Sequence, residues 1–386
     1  SAGPEYADGR PKGAGGRGDG EMVVSDPQAQ PGPSNTPRSG AEWLARVKRA
    51  TPTPIKAAIK RATGERTEAE APAAGGGRRR YRQADAWTGD RFTFQADGRT
   101  HRCFFITGCY KSGTNWVQNI LNLHPMVNCK GEFHFEALWR GYESFTAQPW
   151  FLASRPRLKE IATDSVQDIV RRMMYAKTRD KPGALWLGDR TPRKMVELLP
   201  GAPMVNIRRD GRDVMVSWNF HHLRVKSADR VWEGVRPLAE RLLPEFRADP
   251  ASFEKRGKGF LYDETWFRAH ARIWGENVLH DLEAARRLRE RGTPLLELEY
   301  ARMHADVVRA RADLFGLLGL NEGDAAPLST ESKTLPGFRE GAVTSFYRKG
   351  TTGEWREYFD EQLVRWFKEE AGEALVRAGY EASGDW

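Results

Sequence analysis

The chain has 386 residues, with 61 Lys and Arg against 52 Asp and Glu, and its formal net charge is +9 at neutral pH. This length is enough to bury a substantial core in one large domain with a tail or in two domains, and the basic charge favours a polyanionic small molecule, an acidic surface or a nucleic acid as partner. The 3 cysteines argue against a disulfide scaffold, and the sequence contains no apolar run of the roughly 20 residues that a membrane-spanning helix needs.

The cysteines also bear on metal binding and on the compartment. Cys103, Cys109 and Cys129 lack the C-x-x-C and Cys/His spacings of zinc sites, so we expect no metal. A small, odd number of cysteines is typical of a reducing cytoplasm, which is the expected location. Because the chain starts at Ser1 rather than Met, a trimmed upstream targeting or membrane segment stays an open alternative.

Residues 1–84 have the composition of a disordered basic leader. They are rich in Gly, Pro, Ala, Ser and charge, as in "GAGGRGDG" and "AAGGGRRR", and such segments do not pack a core. Inside the leader, "AEWLARVKRATPTPIKAAIKRA" predicts two short basic amphipathic helices separated by Pro52 and Pro54. These helices favour either a weak contact with a membrane surface or a partner, or a solvated linker.

A folded domain is predicted for residues 85–386, and its first elements are a hairpin and a helix. The stretch "RFTFQADGRTHRCFFITG" predicts a strand, a turn at Asp97-Gly98 and a more apolar strand that ends at Gly108. Apolar residues at helical spacing then predict a helix over residues 114–123, which the following His-Pro pair closes.

The rest of the domain continues this alternation of strands and helices. The stretches "ALWLGDRTP", "APMVNIRRDG" and "TPLLELEYARM" are strand-like, and the last helix is predicted from about Gly353 to Ala378. No internal repeat is present. Strands that alternate with helices indicate an α/β domain with a central parallel sheet flanked by helices.

The loop "GCYKSGTNWVQ" lies where the second strand meets the first helix. Its G-x-x-x-x-G frame runs from Gly108 to Gly113 and would place backbone N–H groups and a helix N-terminus around one anion, such as phosphate or sulfate. A Walker loop has Lys and Ser/Thr directly after this frame, but here Thr114 and Asn115 follow and the lysine is Lys111, inside the loop. Metal-dependent NTP chemistry therefore lacks two of its parts. The alternative is a plain strand-to-helix link.

Three segments together resemble the sulfotransferases that use 3′-phosphoadenosine 5′-phosphosulfate (PAPS). The segment "YKSGTNW" is similar to their 5′-phosphosulfate loop. The segment "NIRRDGRDVMVSW" is similar to their 3′-phosphate segment, and "FYRKGTTGEWREYF" to their R-K-G-x-x-G-[DE]-W motif. The resemblance covers residues from about 100 to 380. It implies a P-loop NTPase-like sulfotransferase fold and transfer of a sulfuryl group from PAPS to an acceptor hydroxyl.

The resemblance also implies which residues bind PAPS as co-substrate, with no metal required. Trp116 and Phe346 would flank the adenine and Tyr300 would lie near the nucleotide, although Trp116 is equally consistent with core packing and Tyr300 with a plain strand end. The remaining implied ligands are divided between the 5′-phosphosulfate (Lys111, Ser112, Gly113, Thr114, Asn115) and the 3′-phosphate (Arg209, Ser217, Arg348, Lys349, Gly350).

The resemblance further implies that Lys111 stabilises the charge that develops on the leaving phosphate during in-line displacement. The general base stays open. The branch with a histidine base in K-T-H-x-P has Arg190 at that position in this chain, within "GDRTP". A second branch has a glutamate base in H-P-x-V-x-C-G-E-E. The similar stretch "HPMVNCKGEFHF" is one residue longer and offers Glu132 or His134, with Asp189 as a third candidate.

The acceptor is weakly encoded. A small molecule, glycan, lipid or peptide with a hydroxyl is expected, and an amine less so, while the oligomeric state stays open. Two alternatives compete with this interpretation: a P-loop phosphotransferase of kinase-like chemistry, and a basic nucleic-acid or membrane-surface binding module built on the leader. No aromatic RNP-like strand supports nucleic-acid binding, so no nucleic acid is expected as partner.

Overall fold

The computed structural model describes residues 91–148, 156–176, 180–190, 198–335, 344 and 350–386. All of them belong to one compact unit of the chain. The leader predicted for residues 1–84, with its two amphipathic helices, lies outside the described residues.

The described strands form one mixed sheet in the order β3-β4-β2-β5-β6, with β1 paired to β2. All pairings along this order are parallel, whereas β1 pairs antiparallel with the first half of β2. The strands are β1 (Thr93–Ala96), β2 (Arg99–Thr107), β3 (Val127–Cys129), β4 (Trp186–Asp189), β5 (Met204–Arg208) and β6 (Leu295–Glu299). The predicted central parallel sheet flanked by helices is confirmed.

Helices connect the parallel strands and continue beyond β6. In chain order they are α1 (Thr114–Leu121), α2 (Glu136–Thr146), α3 (Pro156–Ala176), α4 (Gly211–Leu223), α5 (Arg236–Ala248), α6 (Glu264–Glu290), α7 (Tyr300–Ala305), α8 (Val307–Leu317), α9 (Trp355–Tyr358) and α10 (Glu361–Arg377). No helix among the described residues is both long enough and apolar enough to cross a lipid bilayer.

The predicted hairpin is confirmed. Asp97 and Gly98 both have positive φ angles, 50° and 71°, which is the backbone of a two-residue turn that matches the twist of an antiparallel pair. After this turn, β2 enters the middle of the sheet. Phe104, Phe105 and Ile106 are all fully buried, as a strand covered by helices on both faces requires.

A second apolar core lies where α4, α6 and α10 pack together. Trp218, Trp266 and Trp274 are all buried there, and Trp274 packs against Phe367 of α10. Burying one such side chain contributes roughly 2–3 kcal/mol relative to leaving it in water. These contacts hold α4 against the end of β5, where its first residues border the candidate site.

Two predicted helix boundaries differ from the structure. The first helix ends at Leu121 instead of residue 123, because Asn122 caps it and its side chain turns to bond the backbone of Cys129 at the end of β3. The last helix is interrupted rather than continuous. Phe359 is extended, and Asp360 starts α10 by accepting a hydrogen bond from the Leu363 N–H.

The sheet order decides which loops meet. Because the strands from β2 to β6 are parallel, the segments that follow them all leave from the same edge. Strand β4 lies between β3 and β2. The C-terminal end of β4 therefore lies between the loop that contains Lys111 and the loop that contains Glu132.

Candidate functional site

The loop between β2 and α1 is pressed against the neighbouring strand. A Cβ on Gly108 would lie 2.4 Å from the carbonyl oxygen of Ile207, and a Cβ on Gly113 would lie 2.8 Å from Cδ2 of Tyr300. Only glycine fits either approach, and Gly113 also has a φ of 107°. Lys111 has a positive φ as well, 67°, so the loop curls tightly ahead of the helix.

The helix that follows this loop presents an open N-terminus. Gly113 is the N-cap of α1 and provides no side-chain hydrogen bond, and no acidic residue lies in the first turn. The hydroxyl of Ser112 is buried and has no hydrogen-bond partner among the described residues. An anion would accept hydrogen bonds from the N–H groups at this helix end and from the buried hydroxyl, and the positive end of the helix would attract it.

The ammonium group of Lys111 lies in a desolvated, mostly cationic environment. Burial, followed by the nearby charge of Arg224, lowers the pKa of Lys111 to about 7, and the opposite charge of Glu132 partly counteracts this. An anion bound beside this group would restore its proton. A bound anion would thus stabilise the protonated form of the Lys111 side chain.

Arg209 follows β5 and links the separate parts of the site. Its guanidinium donates to the carbonyl oxygen of Lys111 (3.3 Å) and to that of Thr351 (2.9 Å). It also lies over the ring of Tyr300, 4.3 Å from the ring centroid. Its Nε is buried and has no hydrogen-bond partner among the described residues. Arg209 therefore joins the first loop, the β6 end and the C-terminal loop, and its Nε–H can donate to a ligand.

The C-terminal loop is held by a residue that the sequence motifs did not reveal. Asp213, in the first turn of α4, accepts hydrogen bonds from the backbone N–H groups of Gly353 (2.8 Å) and Trp355 (3.0 Å). Burial raises the pKa of this carboxyl, while the charge of Arg209 lowers it. A second acid in "RRDGRD", three residues after the Asp210 helix cap, was the available signal.

The other predicted nucleotide ligands lie as follows. Gly350 has a φ of 64°, and a Cβ there would lie 3.7 Å from the Tyr300 hydroxyl. Ser217 is half-buried in the second turn of α4. The remaining predicted ligands, Phe346, Arg348 and Lys349, lie outside the described residues.

Trp116 has features of both interpretations that its sequence context allowed. It is buried in the core beside the sheet, and its Nε1 donates to the Thr334 carbonyl oxygen at 2.7 Å. Its ring also meets Tyr300 edge-on, with centroids 5.4 Å apart. Trp116 therefore supports the ring of Tyr300, which borders the cavity described next.

A cavity of about 220 Å³ lies beside Arg209. Its walls come from the ends of β5 and β6, the C-terminal loop and the residues after α10 (Arg209, Asp210, Asp213, Glu299, Tyr300, Ala301, Thr352, Gly353, Trp355, Arg356, Tyr380). No group of three or more His, Cys, Asp and Glu side chains is placed to hold a metal ion within the described part of the chain.

The three candidate bases lie near one another, Glu132 and His134 on the loop after β3 and Asp189 at the end of β4. Glu132 and His134 approach to 3.7 Å, and Glu132 also lies 3.5 Å from Nη1 of Arg190. Asp189 is fully buried and accepts a hydrogen bond from the Phe133 N–H at 3.1 Å, so it holds the loop that carries the other two. Of the three, Glu132 is the one whose charge reaches Lys111.

Two further residues near Lys111, His221 and Arg224, were not found from the sequence motifs. The charge of Lys111 acts on His221, and the charge of Arg224 acts on both Lys111 and His221. Burial, then Lys111 and Arg224, lower the pKa of His221 to about 3, which makes it a poor proton acceptor at neutral pH. Helical spacing was the available signal, because residues 217, 221 and 224 share one face.

Comparison with known proteins identifies the family of this chain. The family model described as "Sulfotransferase domain" matches residues 101–379, which include the loop, the site and the C-terminal motif. The chain belongs to the sulfotransferase family. Membership of this family supports a sulfotransferase activity. The protein is therefore a transferase enzyme, and the family implies a small-molecule or other hydroxyl acceptor. A search of the curated proteins found no match.

Solved structures of sulfotransferases resemble this chain at low identity. A mouse sulfotransferase complexed with PAP is 15% identical over 74% of this chain and 95% of its own, with a TM-score of 0.37. An Alicyclobacillus acidocaldarius sulfotransferase is 18% identical over 72% and 95%, with a TM-score of 0.36. The sulfotransferase domain of a Synechococcus olefin synthase is 13% identical over 70% and 94%, with a TM-score of 0.37.

Proposed function

We propose that this sulfotransferase takes its sulfuryl group from PAPS and transfers it to an acceptor hydroxyl. The observation that carries the proposal is the position of Arg209. Its guanidinium contacts the carbonyl oxygens of Lys111 and Thr351, so the loop and the C-terminal motif border one site. PAPS carries a 5′-phosphosulfate and a separate 3′-phosphate, and two anion positions joined by one arginine suit such a molecule.

The residues around the first loop fit the 5′-phosphosulfate. The buried Ser112 hydroxyl lacks a partner among the described residues, and the open N-terminus of α1 offers backbone donors from Thr114 and Asn115. On the other side, the unpartnered Nε of Arg209 would donate to the 3′-phosphate. Ser217 and Gly350, with Arg348 and Lys349, would complete that position. Tyr300, Trp116 and Phe346 would border the adenine.

Lys111 would act on the charge that develops as the bond between sulfur and the phosphate oxygen breaks. A cation beside that oxygen stabilises the transition state more than the ground state. The low dielectric that depresses the pKa of Lys111 to about 7 also strengthens its attraction for a bound anion. Binding of the anionic donor therefore keeps the lysine protonated for this step.

Glu132 would serve as the general base. It would accept the proton of the acceptor hydroxyl while the acceptor oxygen forms its bond to sulfur and the phosphate leaves as adenosine 3′,5′-bisphosphate (PAP). Its side chain is 30% exposed, so an acceptor can reach it, and its charge acts on Lys111. His134 is the alternative and lies 3.7 Å away, whereas Asp189 is committed to the backbone of Phe133.

Isothermal titration calorimetry tests the donor assignment. We expect the protein to bind PAP clearly more tightly than ATP with Mg²⁺. ATP has no 3′-phosphate, so it would leave the 3′-phosphate position of the site empty. Arg209→Gln should weaken PAP binding by about 10- to 100-fold, since a hydrogen bond to a charged group contributes roughly 1.5–3 kcal/mol. Arg309→Gln, an exposed arginine on α8 paired with Asp313, is the matched control. Equal or tighter binding of ATP with Mg²⁺ contradicts the proposal.

A further inference from the structure

The last residue of β4, Asp189, and the residue after it, Arg190, cross-link the two loops of the proposed active site. Strand β4 lies between β3 and β2, so Asp189 and Arg190 emerge between the Glu132 loop and the Lys111 loop. Asp189 bonds the Phe133 N–H on one side. Arg190 extends to both sides: its Nη1 donates to Oδ1 of Asn115 in α1 and lies 3.5 Å from Oε1 of Glu132.

Arg190 is enclosed by these contacts. Its side chain is only 12% exposed, and its Nε is buried without a hydrogen-bond partner among the described residues. A guanidinium stays protonated in proteins and only donates hydrogen bonds, so Arg190 does not act as a base. Because it only donates, the side-chain oxygen of Asn115 faces it and the amide NH₂ of Asn115 points elsewhere.

We propose that Arg190 is a positioning residue, which holds the Glu132 carboxylate at a fixed separation from Lys111. The inference rests on the proposed role of Glu132 as general base. Asn115 anchors the guanidinium to the helix behind the Lys111 loop, and the guanidinium in turn fixes the carboxylate. Asn115 and Arg190 thus act as a pair, and the base and the charge stabiliser are linked by two side-chain contacts.

The groups around Glu132 determine what the loss of Arg190 would do. Lys111 lies on the loop after β2 and its charge interacts with Glu132, while His134 lies 3.7 Å away on the same loop as Glu132. Arg190 joins Glu132 to α1 through Asn115. Without Arg190 the Glu132 side chain loses this link, and its carboxylate should become more mobile and more accessible.

Carbodiimide labelling of Glu132 measures this without any acceptor. The 386-residue chain is treated at one fixed pH with a water-soluble carbodiimide and glycine ethyl ester, and the Glu132 peptide is quantified by mass spectrometry against the exposed Glu240. We expect Arg190→Gln to raise the labelling rate of Glu132 by about 2- to 5-fold, because the carboxylate loses its ion-pair partner. Arg190→Lys should restore most of the protection, and Arg309→Gln should leave the rate unchanged.

An unchanged labelling rate of Glu132 in Arg190→Gln overturns the inference. Turnover of PAPS with 2-naphthol or water as acceptor adds a second test, which separates positioning from a loss of structure. The same variant should lose about 10- to 100-fold in kcat with PAP affinity within about 2-fold, and Arg190→Lys should recover part of the kcat. A parallel loss of kcat and PAP affinity contradicts a positioning role. Failure of wild-type protein to bind PAP would instead reject the donor assignment, and the labelling rate would still report on Arg190 and Glu132.

Discussion

His221 and His222 are neighbours at the end of α4, yet they face two different regions of the molecule. His221 faces the site, where the charges of Lys111 and Arg224 act on it. His222 faces the aromatic core, where its Nδ1 accepts a hydrogen bond from the Trp266 indole N–H at 2.8 Å. Burial is the largest cause of a lowered pKa in both.

The core region keeps its histidines neutral through geometry. An indole N–H only donates, so Nδ1 of His222 carries no proton. His270 stacks on Trp266 with ring centroids 4.1 Å apart, and its Nδ1 lies 2.7 Å from the Trp266 carbonyl oxygen, which only accepts. Its Nε2 is buried without a partner among the described residues.

The site region differs from the core in the groups that surround Lys111, whose pKa is also lowered. Around Lys111 there are an acid of opposite charge, an open helix N-terminus and a cavity nearby, whereas around His270 there are aromatic rings. A shifted pKa alone therefore does not distinguish a functional group from a core histidine; an opposite charge and access for a ligand do.

The largest expected effect comes from removing the cation at the site. Lys111→Ala should lower turnover of PAPS by about 100- to 1000-fold, because the charge on the leaving phosphate loses its partner. PAP affinity should change far less, by about 3-fold, since the loop N–H groups stay in place. Labelled PAPS and calorimetry measure the two quantities, and Lys226→Ala, an exposed lysine beyond α4, is the control. Unchanged turnover would remove Lys111 from the mechanism.

The core should respond to pH in its stability rather than in its activity. Burial lowers the pKa of His270 from 6.5 to about 4. Between these two pH values the unfolded chain binds a proton at His270 that the folded protein does not bind. Stability is therefore lost as the pH falls from about 6.5 towards 4, by up to about 3 kcal/mol for this group.

Denaturant unfolding at pH 6.5 and pH 4.5, for wild type and His270→Phe, measures this effect. The phenylalanine variant keeps the stack on Trp266 but has no proton to bind, so its loss of stability on acidification should be smaller. An identical loss in both proteins would place the acid sensitivity elsewhere.

A smaller effect is expected where the loop is pressed against Tyr300. Gly113→Ala would place a Cβ 2.8 Å from the Tyr300 ring at a φ of 107°. We expect a loss of about 1–3 kcal/mol in unfolding free energy and weaker PAP binding. Gly316→Ala on α8 has nothing within 4 Å of the added Cβ and serves as the matched control, with stability unchanged or higher. Equal stability of the two variants contradicts the close fit of the loop.

Local sequence patterns were sufficient for the fold class and for the first loop. Alternating strand and helix patterns predicted the parallel sheet, and the glycine frame around Lys111 predicted a helix N-terminus directly after the loop. The pairs that cross between segments were not predictable in this way. The contact of Arg190 with Asn115 and Glu132 depends on β4 lying between β3 and β2, and strand order is a non-local property that hydrophobic periodicity does not encode.

The break before α10 shows a similar limit. Helical spacing is continuous through this region, and the interruption comes from Asp360, whose carboxylate accepts the Leu363 N–H and starts a new helix. Asp213 was missed for a different reason. Its partners, the N–H groups of Gly353 and Trp355, lie far along the chain and belong to backbone that any residue provides.

The most direct test of the account is transfer of label from ³⁵S-labelled PAPS by the 386-residue chain. The protein is incubated with separate panels of phenols, sugars, lipids, peptides and amines, and the products are separated from the nucleotide. The account predicts labelled product with a hydroxyl acceptor, an equimolar amount of PAP, and no requirement for ATP. Label that stays on the nucleotide with every hydroxyl panel, or phosphate transferred from ATP in its place, would contradict it.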